Sequence, residues 1–403
     1  MNTDPTQPPA SFQMTPADPA RHMMAIARLT ADAFAGGQYV DEISQTYIGN
    51  CHYDWDTSRL IWDGEQLVHH WGVWGYPMRL GNLELKVAGI GAVVTVEKYR
   101  KRGLMEMAAR DSLDAMRKNG YDLSILRGRH YVKYGYARAW NYVTYRLKPD
   151  EIPELEIQAP YQLLEPDEMD AINALYNQTH QSYTGTCVRP TYRMLKADDM
   201  NAYGWFDKAG KLAGYVRAVL SDDKKTLQCL EAAGDPHQSL AVMGENFKQG
   251  EYEALTFFTL PHKHPILQLL RKGACVVEDR YFYNTGWRVR IVNLISTLEK
   301  IKPLLETRLR QSGFAGWQGD LYLDAGEQNA TLKIDAGRVN ILPGSPSQHN
   351  IQGGVDIARF LIGSDEPEEI IQQADMSCTG EAAALARVLF PKLYPVMSHW
   401  DEF

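Results

Sequence analysis

The chain has 403 residues and a formal net charge of −8, with 44% hydrophobic and 23% charged residues. This length predicts two or three domains, and this composition is that of a globular protein with a full core. The negative charge argues against a protein that binds nucleic acid by neutralising phosphates, whereas it is compatible with cationic substrates. No apolar run is long enough to span a bilayer.

Residues 1–20 are polar and rich in proline, and they contain no apolar segment of the kind that a signal peptide needs. We predict a disordered lead-in there. The five cysteines are scattered and form no C-x-x-C pair, which argues against both a disulfide framework and a zinc site. The simplest expectation is a cytoplasmic protein with reduced thiols and no metal.

Residues 21–150 are predicted to form a first domain with the order helix, antiparallel strands, helix, strands. Residues 23–34 have helical periodicity, and strand-like runs follow, of which 142–147 is the last. His69 and His70 lie together in one of these runs. A general base or a metal pair is one interpretation, but adjacent strand residues point to opposite faces, which favours a structural role. A stretch rich in proline and acidic residues then predicts a linker.

The stretch from Val87 to Tyr136 organises this domain. It begins with a buried strand rich in valine and glycine, continues through a basic turn at residues 100–103, and enters a helix that ends near Gly120. A second apolar strand follows. A helix N-terminus offers unpaired N–H groups, and Gly103 lets a ligand approach the backbone, so the turn predicts a pyrophosphate site. Neither the P-loop pattern nor G-x-G-x-x-G fits it.

The turn resembles R-x-x-G-x-[G/A], the coenzyme A pyrophosphate loop of GCN5-related N-acetyltransferases (the GNAT superfamily). The matching residues are Arg100 and Gly103, while Met105 departs from the usual Gly or Ala. A surface basic turn before an ordinary helix is the alternative. The downstream HYVKYGY resembles the F-Y-x-x-x-G-[FY] segment of the same superfamily. It follows at about the expected distance, which favours the acetyltransferase interpretation.

Two further domains are predicted. Residues 151–288 repeat the helix-and-strand rhythm of the first domain without an arginine-rich glycine turn, and we interpret them as a degenerate GNAT-like domain that lacks coenzyme A. His262 and His264 there fit either a ligand cluster or a solvated helix start. Residues 289–403 predict an amphipathic helix, alternating strands and two helical pieces. This order resembles the sterol-carrier-protein fold, which either holds a lipid or only packs against the other domains.

This order of domains resembles the Eis-type (enhanced intracellular survival) acetyltransferases. The resemblance implies a mixed α/β fold (α+β), acetyl-CoA as co-substrate, amines such as those of aminoglycosides as acceptors, and a hexamer. It implies that Tyr131 is the general acid and that the carboxylate of the C-terminal residue, Phe403, is the general base. It also implies contacts of acetyl-CoA with the strand before the turn, the turn and the helix start: Val93, Val94, Thr95, Arg100, Lys101, Arg102, Gly103, Leu104, Met105 and Glu106.

Acyl transfer to an amine requires a base for the ammonium proton, N–H donors for the oxyanion and an acid for the thiolate. A tyrosine with a reference pKa of about 10 can supply the acid, and Tyr134 and Tyr136 are the alternatives to Tyr131. Backbone N–H groups at residues 93–95 could hold the oxyanion if a bulge frees them from the sheet. An α-carboxylate with a reference pKa of about 3.3–3.7 is a weak base, which must be buried, act through water or meet the neutral amine.

Asp401 and Glu402 lie beside the proposed base, and with Asp41 and Glu42 they predict an acidic pocket for a polyamine-like substrate. The sequence thus predicts an N-acetyltransferase that acts on primary amines of small cationic molecules. A non-enzymatic carrier of lipid or another apolar ligand and an acetyltransferase of protein lysines are the alternatives. The natural acceptor cannot be read from the sequence.

Overall fold

The computed structural model describes residues 12–49, 51–189, 201–250, 252–374 and 376–403. They form two compact units. The first unit holds the described residues up to Trp140, Phe282–Tyr394 and Phe403, and the second unit holds Asn141–Tyr281 and Pro395–Glu402.

The described residues form both strands and α-helices. The strands are β1 (Phe12–Pro16), β2 (Arg59–Asp63), β3 (Gln66–Leu80), β4 (Leu83–Thr95), β5 (Leu123–Arg127), β6 (Ala137–Arg138), β7 (Tyr142–Leu147), β8 (Tyr161–Leu163), β9 (Ala202–Phe206), β10 (Leu212–Leu220), β11 (Thr226–Ala233), β12 (Ala254–Phe258), β13 (Val276–Arg280), β14 (Trp287–Ile291), β15 (Gln318–Asp324), β16 (Asn329–Asp335), β17 (Arg338–Pro343), β18 (His349–Gln352) and β19 (Ser377–Cys378). The α-helices are α1 (Pro19–Phe34), α2 (Val40–Glu42), α3 (Leu104–Lys118), α4 (Met169–Thr179), α5 (Pro236–Gly250), α6 (Pro265–Leu270), α7 (Leu294–Arg310), α8 (Ile357–Ile362), α9 (Pro367–Gln373) and α10 (Ala382–Leu389).

The first sheet of the first unit runs β1-β2-β3-β4-β5-β14-β6. Its largest part is the antiparallel hairpin of β3 and β4, two long apolar strands joined by a turn at Gly81. β4 and β5 run parallel but pair only over Val87–Gly89. Beyond Gly89, β3 is the partner of β4 among the described strands, so the last part of β4 has an open edge.

The helices beside this sheet begin where the sequence provides suitable ends. The Asp18 carboxylate caps α1, because it accepts hydrogen bonds from the main-chain N–H groups of Ala20 and Arg21 at 2.9 and 3.1 Å. α3 begins after Gly103, and its apolar face, which includes Met107, packs in the core with β4. None of the described helices combines the length and the apolarity needed to cross a membrane.

The rest of the first unit contains a five-stranded sheet in the order β17-β16-β15-β18-β19. Helix α7 packs against β16 and β17. It buries Leu298, Ile301, Leu305 and Leu309, which recur at helical spacing along one face. The amphipathic helix and alternating strands predicted for this part of the chain are therefore present.

The second unit contains a seven-stranded sheet in the order β13-β7-β12-β11-β10-β9-β8. Strands β11 and β12 are parallel, while their neighbours are antiparallel. This is the arrangement of β4 and β5 in the first sheet, with α5 in the place of α3. The predicted mixed α/β fold (α+β) is thus confirmed.

Part of the predicted lead-in is ordered. Residues 1–11 lie outside the described residues. The prediction of disorder is wrong for residues 12–20, because Phe12–Pro16 pairs with β2 and α1 begins at Pro19. The side chain of Phe12 is buried in the core of the sheet, which offsets the entropy of ordering this segment.

The unit boundaries also differ from the predicted domain ends at residues 150 and 288. Strand β7 was expected to end the first domain, yet it pairs with β12 and β13 of the second sheet. The place next to β5 is taken by β14, which follows the second unit in the chain. The boundaries therefore fall after Trp140 and Tyr281. A strand's own pattern does not specify its partner, so this exchange could not be seen in the sequence.

Candidate active site

The end of β4 carries a β-bulge. The register between β3 and β4 shifts there, so that Ala92 and Val93 together face a single residue of β3. Ala92 has a φ of +43°, in the left-handed region that residues with a β-carbon rarely adopt. A bulge interrupts the regular ladder of main-chain hydrogen bonds. Val93 thus lies in the bulge, and Val94 and Thr95 follow it in register with His70 and His69.

The basic turn between β4 and α3 presents its charges to solvent. Arg100, Lys101, Arg102 and Gly103 are exposed, and Lys101 and Gly103 have φ values of +63° and +81°. Turns with left-handed residues form concave groups of main-chain N–H donors that bind anions. No side chain caps α3 at Gly103, so the N–H groups of its first turn have no side-chain acceptor there. The charges and the free helix end fit a pyrophosphate.

One cleft of about 810 Å³ joins the bulge, the turn and the short 3₁₀ helix Arg129–Tyr134. Every residue predicted to contact acetyl-CoA lines this cleft, and so does Tyr131. The Glu106 carboxylate is paired with Arg110 at 2.7 Å, so the negative charge in the first turn of α3 is compensated. Residues that line the cleft and were not predicted to do so are Ala33, Phe34, Tyr99, His130, Lys133 and Tyr134.

The three candidate tyrosines occupy different surroundings. Tyr136 is fully buried, and its hydroxyl is hydrogen-bonded to Oγ of Ser124 at 2.7 Å, so it belongs to the core. Tyr131 and Tyr134 line the cleft. Burial, with a contribution from Tyr134, raises the pKa of Tyr131 to about 12, so its phenol keeps its proton at neutral pH. The Tyr134 hydroxyl is buried without a hydrogen-bond partner among the described residues.

Phe403 lies against two glycines of β4. Its ring packs near Tyr76 and Trp287, with centroid distances of 5.9 and 5.7 Å. A β-carbon built on Gly91 would lie 2.6 Å from the carboxyl carbon of Phe403, and one built on Gly89 would overlap its ring. Sequence reasoning missed both glycines. Their spacing of two residues on one face of a predicted strand was the available indication of a close approach.

The acidic residues next to Phe403 do not form an open acidic pocket. The side chain of Asp401 is 2% exposed and pairs with Nε of Arg189 at 2.7 Å. It also accepts a hydrogen bond from the Tyr176 hydroxyl at 2.9 Å. The structure thus departs from the predicted substrate role of Asp401, because its charge is buried and already compensated. Glu402 is partly buried, with a carboxylate oxygen 4.0 Å from Nδ1 of His399.

The other two predicted acidic residues lie in a short helical turn. Asp41 is exposed and Glu42 is half-buried in α2, which leads into the π-helix Ile43–Gly49. The main-chain carbonyls of Asp41 and Glu42 accept hydrogen bonds from Ser44 and Thr46. Neither carboxylate belongs to the lining of the cleft as the described residues define it.

Three of the histidines considered in the sequence analysis, His69, His70 and His264, are buried, and each contacts a different partner. His69 lies 2.7 Å from Oγ1 of Thr95, and His70 lies 2.8 Å from the carbonyl oxygen of Ala92. Burial lowers the pKa of His69 to about 3 and that of His70 to about 4. His264 begins α6, as one interpretation expected, but it is buried rather than solvated. Within the described ranges, no group of three histidine, cysteine or acidic residues is arranged to hold a metal.

A family model described as the acetyltransferase (GNAT) domain matches residues 19–139. The predicted GNAT acetyltransferase domain and the predicted acyltransferase enzyme are thereby confirmed. No curated protein matches the chain in sequence.

Several solved structures share its fold over nearly the whole chain. A GCN5-related N-acetyltransferase from Anabaena variabilis has 18% identity and a TM-score of 0.72, covering 96% of this chain and 99% of that chain. One from Kribbella flavida has 17% identity and a TM-score of 0.69, covering 96% and 97%. Eis1 from Mycobacterium abscessus has 16% identity and a TM-score of 0.68, covering 96% and 99%. At these identities the likeness shows a common fold, and it supports the Eis resemblance at that level.

Proposed function

We propose that the chain is an acetyl-CoA-dependent N-acetyltransferase of primary amines, with Tyr131 as general acid and the Phe403 carboxylate as general base. The acceptor in this proposal is a small cationic molecule of the aminoglycoside or polyamine kind. The observation that carries the proposal is the position of Phe403. Its carboxyl group lies over Gly91, next to the bulge of β4 that enters the cleft.

The cleft suits the anionic part of acetyl-CoA. Arg100, Lys101 and Arg102 supply positive charge, and the uncapped start of α3 supplies main-chain N–H groups. The bulge at Ala92 and Val93 interrupts the ladder where N–H donors for an oxyanion are needed. Acetyl-CoA, when bound, supplies the thioester that an amine attacks.

Tyr131 suits the acid role. It lines the cleft, and its raised pKa keeps the phenol protonated over the whole neutral range. A protonated phenol donates a hydrogen bond to the sulfur as the carbon–sulfur bond breaks. It can transfer its proton to the thiolate when a second proton replaces it on the phenol oxygen. Tyr134, which also lines the cleft, is the second candidate for this role.

The α-carboxylate of Phe403 has a low reference pKa, so it can act as the base only if it is buried, acts through water or meets the neutral amine. A carboxylate becomes a stronger base in apolar surroundings. The aromatic rings of Tyr76 and Trp287 flank the Phe403 ring, and the ring of Trp74 lies next to Gly91 on the same face of β4. These neighbours support a partly desolvated carboxylate that accepts the proton of an incoming ammonium or of the attacked intermediate.

The remaining features inherited from the resemblance are part of the same proposal. They are a sterol-carrier-like fold for the sheet of β15–β19 with α7, a cytoplasmic location, and a hexamer. The five-stranded sheet packed by one long helix supports the first of them.

The test is thiol release from acetyl-CoA with aminoglycosides, polyamines and a lysine peptide as acceptors. Wild type is compared with Tyr131→Phe and with a chain extended by one glycine after Phe403, which keeps the phenyl ring but moves the carboxylate. We expect kcat to fall by about 100-fold or more in both variants, since an acid or a base typically contributes 10²–10⁴-fold. Tyr136→Phe, which removes a core hydroxyl outside the cleft, is the matched control.

The outcomes separate the parts of the proposal. Activity that survives both changes would keep the enzyme and reject both residue assignments. Activity on the lysine peptide alone would replace small amines with proteins as acceptors. Failure of wild type to bind coenzyme A, with binding of apolar probes, would favour a carrier.

A further inference from the structure

Two fully buried histidines of β3 hold the end of β4, and the reaction as proposed uses neither. The imidazole of His70 spans from the bulge to a neighbouring tyrosine. Its Nδ1 lies 2.8 Å from the carbonyl oxygen of Ala92, and its Nε2 lies 2.8 Å from the hydroxyl of Tyr53. Both ring nitrogens therefore have a partner, although the ring is 0% exposed.

These contacts fix the tautomer of His70. A carbonyl oxygen can only accept, so the proton is on Nδ1, which donates to Ala92. Nε2 then carries the lone pair and accepts the hydrogen bond of the Tyr53 hydroxyl. Burial keeps this imidazole neutral. His70 is therefore a fixed hydrogen-bond donor whose direction Tyr53 secures.

The residue that His70 holds is the strained one. Ala92 has a φ of +43°, and such conformations persist where the surroundings enforce them. The space around the bulge is also closely packed. A β-carbon built on Gly72 would come within 2.8 Å both of the Gly91 carbonyl oxygen and of a carbon of the His70 ring. His70 therefore packs against the bulge on the face of the sheet where Gly72 and Gly91 lie.

We propose that His70, oriented by Tyr53, is a positioning residue for acyl transfer, because its hydrogen bond to Ala92 holds the β4 bulge in the shape that presents residues 93–95 to the acetyl group. This inference rests on the proposed function, and it adds a residue that is not part of the lining of the cleft. Gly91, which supports Phe403, is the neighbour of Ala92. A change in the bulge therefore disturbs the oxyanion contacts and the seat of the proposed base together.

The variants follow from the geometry. His70→Leu fills the site but removes the donor, whereas His70→Asn keeps an amide N–H near the position of Nδ1. Tyr53→Phe removes the hydrogen bond that Nε2 of His70 accepts, while the Ala92 carbonyl still sets the tautomer. His264→Leu is the matched control, because His264 is an equally buried histidine whose Nε2 lies 3.1 Å from a main-chain carbonyl, that of Ala232 in the second unit.

We expect His70→Leu to lower kcat by about 100-fold, because a changed bulge would displace a main-chain donor to the oxyanion and the loss of one such donor has an effect of that size. KM for acetyl-CoA should stay within about twofold. His70→Asn should recover most of that activity, and His264→Leu should keep kcat at the wild-type level. A merely structural histidine would predict equal effects in His70→Leu and His264→Leu and no recovery by asparagine.

A second readout does not depend on activity. Hydrogen exchange of the amides in residues 90–96 should accelerate by at least about tenfold in His70→Leu, but not in His70→Asn or His264→Leu. If wild type transfers no acetyl group, the proposed function fails while this exchange pattern still decides the role of His70 in the bulge. Unchanged exchange of residues 90–96 in a folded His70→Leu protein would overturn the inference, and so would wild-type kcat in that variant.

Discussion

Adding one methyl group at Gly91 should disable the enzyme by displacing the carboxyl group of Phe403. The β-carbon of alanine would lie 2.6 Å from the carboxyl carbon of Phe403 and 3.0 Å from its oxygen. Carbon atoms pack at about 3.5–4.0 Å, so the carboxyl group must retreat by roughly 1 Å. A misplacement of this size costs about 100-fold in rate, and we expect kcat of Gly91→Ala to fall by that factor.

The assay is thiol release at saturating acetyl-CoA and amine, with the affinity for coenzyme A measured in parallel. The affinity should not change, because the basic turn at residues 100–103 is separate from Gly91. Gly316→Ala is the matched control, since a β-carbon built on Gly316 has no heavy atom within 4 Å and its φ is not positive. That variant receives the same methyl group and should keep wild-type kcat.

Overpacking can also cost about 1–3 kcal/mol of stability, so the melting temperature of each variant accompanies its rate. A folded Gly91→Ala protein with wild-type kcat would refute the reasoning, because the carboxyl group could not then be needed where the structure has it. If kcat of Gly316→Ala fell as much as kcat of Gly91→Ala, any added methyl group would be harmful. The effect at Gly91 could then not be assigned to the carboxyl group of Phe403.

Three further predictions concern the cleft and the second unit. Replacing Lys101 and Arg102 with glutamine should raise KM for acetyl-CoA by about tenfold for each charged hydrogen bond removed, at about 1.5 kcal/mol each, and leave kcat unchanged in steady-state assays. Because the pKa of Tyr131 is raised to about 12, kcat should show no alkaline fall below pH 10; a fall with a midpoint of 8–9 would point to another acid. Burial opposes ionisation of Glu231, but the Arg189 charge and the hydrogen bonds to the carboxylate outweigh it and lower the pKa of Glu231 to about 2. The ionised carboxylate therefore stabilises the folded protein by about 3 kcal/mol above pH 5. This stabilisation is lost as the pH falls toward 2. Urea denaturation at pH 7 and pH 3 should show that decrease in wild type and a smaller one in Glu231→Gln.

The sequence predicts local elements well where their periodicity is strong. The hairpin of β3 and β4, the helix α3 and the strand β5 all lie where the pattern indicates them. It does not predict that β7 leaves the first sheet or that β14 joins it. β7 and β14 are both short and contain apolar as well as polar residues, and their partners are set by packing between distant parts of the chain.

Some residues of the candidate site could likewise be predicted from the sequence, and others could not. The basic turn is visible because its charges and its glycine are contiguous, and Tyr131 is visible through a local motif. Asp401 was misjudged because its partner, Arg189, is far away in the sequence, and nothing near Asp401 indicates that its charge is buried. The bulge at Ala92 is likewise a property of the pairing with β3 rather than of β4 alone.

The two faces of β4 explain why this one strand carries so much of the candidate site. Ala88 and Ile90 point into the core shared with α3, while Gly89 and Gly91 point to the opposite face, where Phe403 lies. The side chains of Ala88 and Ile90 hold the strand in the core. Gly89 and Gly91 have no side chains, which leaves room for Phe403 on the other face. Truncating Ile90 to alanine should therefore cost about 2–5 kcal/mol of unfolding free energy through a cavity, whereas enlarging Gly91 should act on the rate. A strand with side chains on both faces would be as stable and would have no room for the proposed base.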